Sequence, residues 1–347
     1  MLYHMDINQI KEADIHMNDK LTTLFDYLKN LCEADIDRII GFVLGIIDSN
    51  QAIINRPNCP YCESTKIIKF GRRNNKQRFK CKQCKRTYML TTNTLMANSH
   101  YGQHKWEQFI NDTLYGVSLD KSAENLGFSH QTAFNMRHKV LMALQDLLDQ
   151  EPVMLSGVAE LDETFVLDCY KGASVPESAG RGSRKHGAKA LKRGISNEYV
   201  AICTGIQRDG GAVAKTVNRA KPSCEELKAI FTGHIAEDAL LLTDGLRSYN
   251  ILESMATCTV VDVNHEGNRG TFNLNTVNGL HSYIKNTYDH YRGVATKYIN
   301  RYNALFAIAY RCLKETARNI FTALCNASCI CYWHGVREVR NHNLVVI

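Results

Sequence analysis

The sequence predicts an α/β protein: a mixed-sheet core in the second half, preceded by a small metal-bound module and an all-α segment. Three observations carry this. Two Cys-x-x-Cys pairs stand near the front, Cys59/Cys62 and Cys81/Cys84. Apolar residues at helical spacing fill 101–150 and return after Asn275. Between them, from Val158 to about Val263, short apolar runs alternate with polar loops, as strands of a mixed sheet do.

With 347 residues the chain has room for two or three domains. Hydrophobic residues at 44% and charged residues at 22% exclude fibrous and disordered classes. The net charge of +7 is modest, but its distribution is not even. No acid interrupts Lys66–Arg86, nor Arg181–Arg193, which holds Arg181, Arg184, Lys185, Lys189, Lys192 and Arg193. Such blocks suit a polyanionic partner. The opening MLYHMDINQIKEADIH is charged and lacks an apolar core, so a cytoplasmic protein with reduced thiols is expected. Apolar runs such as Ile39–Ile47 are too short to cross a bilayer, and no membrane partner is expected.

Residues 1–50 read as a helical N-terminal segment, with Leu21, Leu24, Leu28 and Leu31 at helical spacing. Residues 55–98 change character. Cys59, Cys62, Cys81 and Cys84 have the spacing of one tetrahedral, all-cysteine Zn2+ site, which makes this segment a zinc ribbon. Its hairpin is too small to fold on apolar burial alone, so the ion would supply much of the folding energy. Such a site has no open coordination position and is structural. The cations between the knuckles, Arg72, Arg73 and Arg78 among them, point to phosphate contacts.

Residues 101–150 read as a helix-turn-helix domain. Trp106–Leu114 is one helix and Ser118–Leu126 a second, with Ser118 as N-cap; Gly127 turns the chain and Ser129 caps a third through Leu148. In a DNA reader of this layout the start of the last helix faces base edges, which here means His130, Gln131, Thr132 and Asn135. Arg137, His138 and Lys139 are placed to hold phosphates. Pro152 and Gly157 mark the next boundary, and 156–315 form the core.

Within that core three features stand together. Glu160–Val166 alternates as a strand and sets Asp162 on one face with Glu160 and Thr164. Ala239–Thr243 is an apolar strand that ends on Asp244 and Gly245. A helix from near Asn275 carries Asn278, His281, Ser282 and Lys285 on one side. Two aspartates and an amide oxygen offer hard ligands for Mg2+ or Mn2+, the ions of two-metal phosphodiester chemistry. Lys285 is placed to hold a phosphate.

These pieces, in this order, resemble the zinc-ribbon insertion-sequence transposases of the DDE superfamily, in the subgroup whose third acidic position is Asn. The resemblance runs from about Arg56 to about Arg311. It rests on RFKCKQCKRTYMLTTNTLM, SLDKSAENLGFSHQTAFNMRHKVL, ELDETFV, GRGSRKHGAKALKRGISNE, LLLTDGLRSY, NTVNGLHSYIK and YRGVATKYINRYNALF. It implies an RNase H-like catalytic core with Asp162 and Asp244 as metal ligands, Asn278 in the third place and Lys285 as the downstream basic residue. It further implies DNA contacts from the basic loop, Arg184 and Lys185 included. The partners implied are double-stranded DNA, as terminal inverted repeats and target, and further copies of the chain in a synaptic homo-oligomer. The place implied is the prokaryotic cytosol, at the nucleoid. The alternatives are an inactive or domesticated DNA-binding derivative, which the neutral Asn278 keeps open, and a zinc-ribbon nuclease that cuts without joining. The tail 325–347 does not resemble the family.

Overall fold

A five-stranded mixed sheet organises the second half of the protein. The computed structural model describes residues 58–73, 76–184, 188–255, 257–268, 270–291, 293–312 and 317–326. The helical segment expected over 1–50 lies outside them, as does the tail beyond Asn326. The first described element is a small antiparallel sheet of β1 (Ile67–Arg73), β2 (Lys76–Cys81) and β3 (Thr87–Met89), in that order. Only Cys59, Cys81 and Tyr88 form its buried centre. That is far too little apolar area to hold a hairpin folded unaided.

Helices α1 (Gln103–Leu114), α2 (Leu119–Leu126) and α3 (His130–Gln150) follow. Ser118 caps α2 by accepting the amide of Lys121, and Ser129 caps α3 by accepting that of Thr132. Gly127 closes α2 in the left-handed region, φ 68°, where a side chain would be strained.

The main sheet has the order β6-β5-β4-β7-β8, built from β4 (Val158–Leu167), β5 (Tyr199–Gln207), β6 (Ala212–Lys215), β7 (Leu240–Thr243) and β8 (Thr259–Asp262). The first three form an antiparallel meander; β7 then returns parallel to β4 on its other side, and β8 parallel to β7. Helix α4 (Cys224–Phe231) and a 3₁₀ segment (Arg247–Ser254) cover one face, where Leu161, Cys203, Leu227, Phe231, Leu241 and Tyr249 make one core.

The other face packs against α5 (Asn275–His290) and α6 (Ile299–Cys312), with α7 (Ala317–Asn326) beyond. This second core is shared. Trp106, Phe109, Val140 and Leu144 from α1 and α3 lie in the same apolar cluster as Ile202, Val277, Phe306 and Phe321. Pro152 and Gly157 therefore divide helices from sheet in the sequence but not in the packing. The outer half of α3 begins at exposed His130, and its inner half is core.

Candidate active site

The four cysteines converge. Their sulfurs all lie within 4.8 Å of one another, with Cys59–Cys84 at 3.6 Å and Cys62–Cys81 at 3.7 Å. Four thiolates about 2.3 Å from one tetrahedral ion would stand about 3.8 Å apart, close to the two shorter distances here, so the cluster could hold zinc. The backbone N–H groups of Gln83 and Cys84 donate to the Cys81 sulfur, and with them the Cys81 thiol is pulled down to about 6. No other trio of His, Cys, Asp or Glu among the described residues brings its ligand atoms that close.

The parallel pairing of β4 with β7 runs Val158–Leu240, Ala159–Leu241, Glu160–Leu242. Asp162 lies two residues beyond the last of these pairs on β4, and Asp244 directly follows the end of β7. Burial pushes the Asp162 carboxyl up to about 6; the Glu163 amide lowers it, the Asp244 charge raises it and the Lys285 ammonium lowers it. The Glu163 carboxyl is pushed up to about 7, by burial first and then by Asp162 and Asp244. Asp244 is exposed and accepts the amide of Leu246 at 3.0 Å. Next to it Gly245 has φ 87°, and a Cβ there would lie 2.4 Å from Asp262 Oδ2, so the turn that presents Asp244 tolerates only glycine.

Helix α5 reaches this place through Glu160. That carboxylate is fully buried. It accepts the amides of Thr276 and Val277 at 2.8 and 3.0 Å, the Thr276 hydroxyl at 3.0 Å and Arg208 Nε at 2.8 Å. The helix has no side-chain cap of its own at Leu274, so a strand residue far back in the sequence satisfies its first amides and complements its dipole. Asn278 and Lys285 are exposed on α5, and His281 is buried beneath them. His281 Nε2 is 2.7 Å from the Thr204 hydroxyl, and Nδ1 is 3.7 Å from Asp162 Oδ2. Burial first, and then the Lys285 charge, lowers the imidazole to about 4. Asp162, Asp244 and Lys285 thus share one electrostatic neighbourhood. Sequence reading passed over Glu160 as an anchor, and passed over Glu163, Thr204 and Arg208. The visible signal was the strand face Glu160–Asp162–Thr164; what stayed hidden was its partner, more than a hundred residues away.

Three expected DNA contacts need correction. Arg137 is 1% exposed; its guanidinium lies over the rings of Phe109 and Tyr291 and donates to the Val117 carbonyl at 2.8 Å. It is a core cation because it falls on the inward side of α3. His138 is likewise buried, against Arg301 and the ring of Tyr298. Arg184 is occupied by Asp168 and by Glu198, the latter at 2.7 Å. Asp168, at the end of β4, also binds Arg181 at 2.5 Å and Arg219 at 2.7 Å. Burial alone would raise the Asp168 carboxyl, but Arg219, Arg181 and Arg184 outweigh it and hold it below the usual range. Glu198 further accepts the amides of Leu191 and Lys192. The loop is therefore pinned from below, which leaves Lys189, Lys192 and Arg193 exposed. Asp168→Ala is expected to lower stability by about 3 kcal/mol, since three guanidiniums lose a common partner; thermal unfolding measures this, and an unchanged midpoint would contradict the pinning.

The remaining candidates are at the surface or part-buried. Arg72 and Arg73 are exposed on β1, and Arg78 lies over the Phe70 ring. His130 pairs with Asp120 at 2.5 Å, Gln131 donates to Asn135 at 2.9 Å, and the Thr132 hydroxyl meets that of Ser129. Lys139 is half-buried. Lys185 lies outside the described residues. None of the described helices is long and apolar enough to cross a membrane.

A protein in the transposable element ISH50 of Halobacterium salinarum is 25% identical over 254 residues, covering 72% of this chain and 84% of that one. Among solved structures, the pre-cleavage Mos1 transpososome matches with a TM-score of 0.26 and 10% identity over 65% of this chain and 80% of that one. The Mos1 paired-end complex with Mn matches with a TM-score of 0.24, 10% identity and the same coverage. Residues 154–312, the segment that carries Asp162, Asp244, Asn278 and Lys285, match the ISXO2-like transposase domain, and this part of the chain is similar to that family.

Proposed function

We propose that this protein is a DNA transposase of the Asp-Asp-Asn kind, with an RNase H-like core. It would bind the ends of an insertion sequence and transfer them into target DNA. One observation supports the reading: within the segment that matches a transposase domain, the Asp162 carboxyl lies close enough to Asp244 and Lys285 to feel the charge of both. The meander-then-parallel order β6-β5-β4-β7-β8 supports it.

In this reading Asp162, Asp244 and the Asn278 amide oxygen hold Mg2+ or Mn2+. Bound there, the ions supply charge that activates a water or 3′-hydroxyl and stabilises the leaving oxygen. The electrostatics support the fit: burial first, and then the nearby Asp244 charge, raises the Asp162 carboxyl, and a bound cation would offset both. Lys285, exposed on α5, holds the scissile phosphate as a point charge. The cysteine module binds Zn2+ and presents Arg72, Arg73 and Arg78 to DNA phosphates, while α2 and α3 act as a helix-turn-helix. Its exposed tip, with His130, Gln131, Thr132 and Asn135, reads base edges. Lys189, Lys192 and Arg193 take over the loop contacts first read at Arg184 and Lys185.

The test is incubation of the full chain with duplexes ending in the element's inverted repeats, a target plasmid and Mg2+ or Mn2+. Joined products support transposition. Cut but unjoined ends indicate a nuclease, and binding without metal-dependent cutting indicates a regulator. Asn278→Glu is expected to shift the Mg2+ concentration for half-maximal activity by about threefold or more, because ligand charge sets affinity at oxygen sites. An identical metal curve would place Asn278 outside the centre.

A further inference from the structure

The protonation of His281 can be read from its neighbours. The Thr204 hydroxyl lies 2.8 Å from the Asp162 main-chain carbonyl and 2.7 Å from His281 Nε2. A carbonyl only accepts, so the one hydroxyl proton goes to it. The Thr204 oxygen must then accept from Nε2–H. Nε2 thus carries a proton, and in the neutral ring Nδ1, 3.7 Å from Asp162 Oδ2, has none. Two acceptors face each other across a gap too long for a hydrogen bond. No shared proton joins them, yet the ring is buried and fixed in this orientation.

A divalent ion suits such a gap. Carboxylate oxygen and imidazole nitrogen bind first-row metals at about 2.1 Å, so an ion can reach both atoms while they stand 3.7 Å apart. Metal-bound histidines characteristically donate their other ring N–H to a fixed acceptor, which sets tautomer and ring angle. Thr204 already does so here. The Glu160 cap on α5 and the Asp162–Thr204 pairing of β4 with β5 hold the two ligands on rigid elements.

We propose that His281, through Nδ1, is a further metal ligand that shares an ion with Asp162. The proposal rests on the reading of Asp162 as a ligand. It answers the neutrality of Asn278 by adding a strong donor to the centre, and it favours Mn2+ over Mg2+, since imidazole suits the softer ion.

The test is pulsed electron paramagnetic resonance of Mn2+ on the full, zinc-loaded chain. The expected result is modulation from a directly bound 14N, changed by 15N-histidine labelling and absent in His281→Gln, a variant that keeps a donor for Thr204. Mn2+ affinity should fall about tenfold or more in His281→Gln and further in Asp162→Asn. The labelled wild-type spectrum decides the matter even if a variant does not fold. Mn2+ held in an Asp162-dependent way without nitrogen coupling would overturn the His281 assignment alone. Mn2+ binding identical in wild type and Asp162→Asn would overturn the reading of the carboxylate centre, and this proposal with it.

Discussion

Asp162→Ala, and separately Asp244→Ala, is expected to reduce cutting and joining of element ends by at least about a thousandfold while DNA-end binding stays within about twofold. The separation follows from placement. Both carboxylates lie just beyond the paired stretch of β4 and β7, and the cationic surfaces proposed to grip DNA are on β1 and at the start of α3. Asp244 is exposed, so its loss leaves no cavity, and the folded state should survive it. Asp162 is part-buried, and among the described residues its side chain accepts only the neighbouring Glu163 amide, so the fold should survive its removal too. Product gels and mobility shifts on the same preparations measure the two activities. A variant that still joins ends at the wild-type rate would show that the reacting phosphodiester lies elsewhere.

Cys81→Ser should act in the opposite way. One ligand of four is lost in a sheet whose buried centre is only Cys59, Cys81 and Tyr88. Zinc content by metal analysis should fall from about one per chain to near none, and DNA-end affinity should drop at least about tenfold. The main sheet, with its own two cores, should keep its unfolding midpoint. Retention of zinc would contradict the four-cysteine site.

The sequence made the local features legible. Cys59, Cys62, Cys81 and Cys84 announce themselves by spacing, and Ser118, Gly127 and Ser129 by the chemistry of helix ends. Asp162 and Asp244 stood out because each terminates or alternates within an apolar run. Long-range pairing was another matter. Nothing near Asn275 says that Glu160 will cap that helix, because the partner of a buried carboxylate is chosen by topology, not by neighbours in the chain. The same limit explains Arg137 and Arg184. Each sits among cations that read as a surface, and only the packing of α3 and the position of Asp168 show that one is core and the other an anchor.

One consequence of the undivided packing of α3 concerns distance. Its 21 residues make a rod of about 31 Å, with its first residues in solvent and its middle, from Met136 to Leu144, packed in the core behind the sheet. On the proposed function, whatever the free end grips would be held at a set span and rotational phase from Asp162 and Asp244. The helix would then act as a ruler, its length setting the number of base pairs between the sequence recognised and the bond broken.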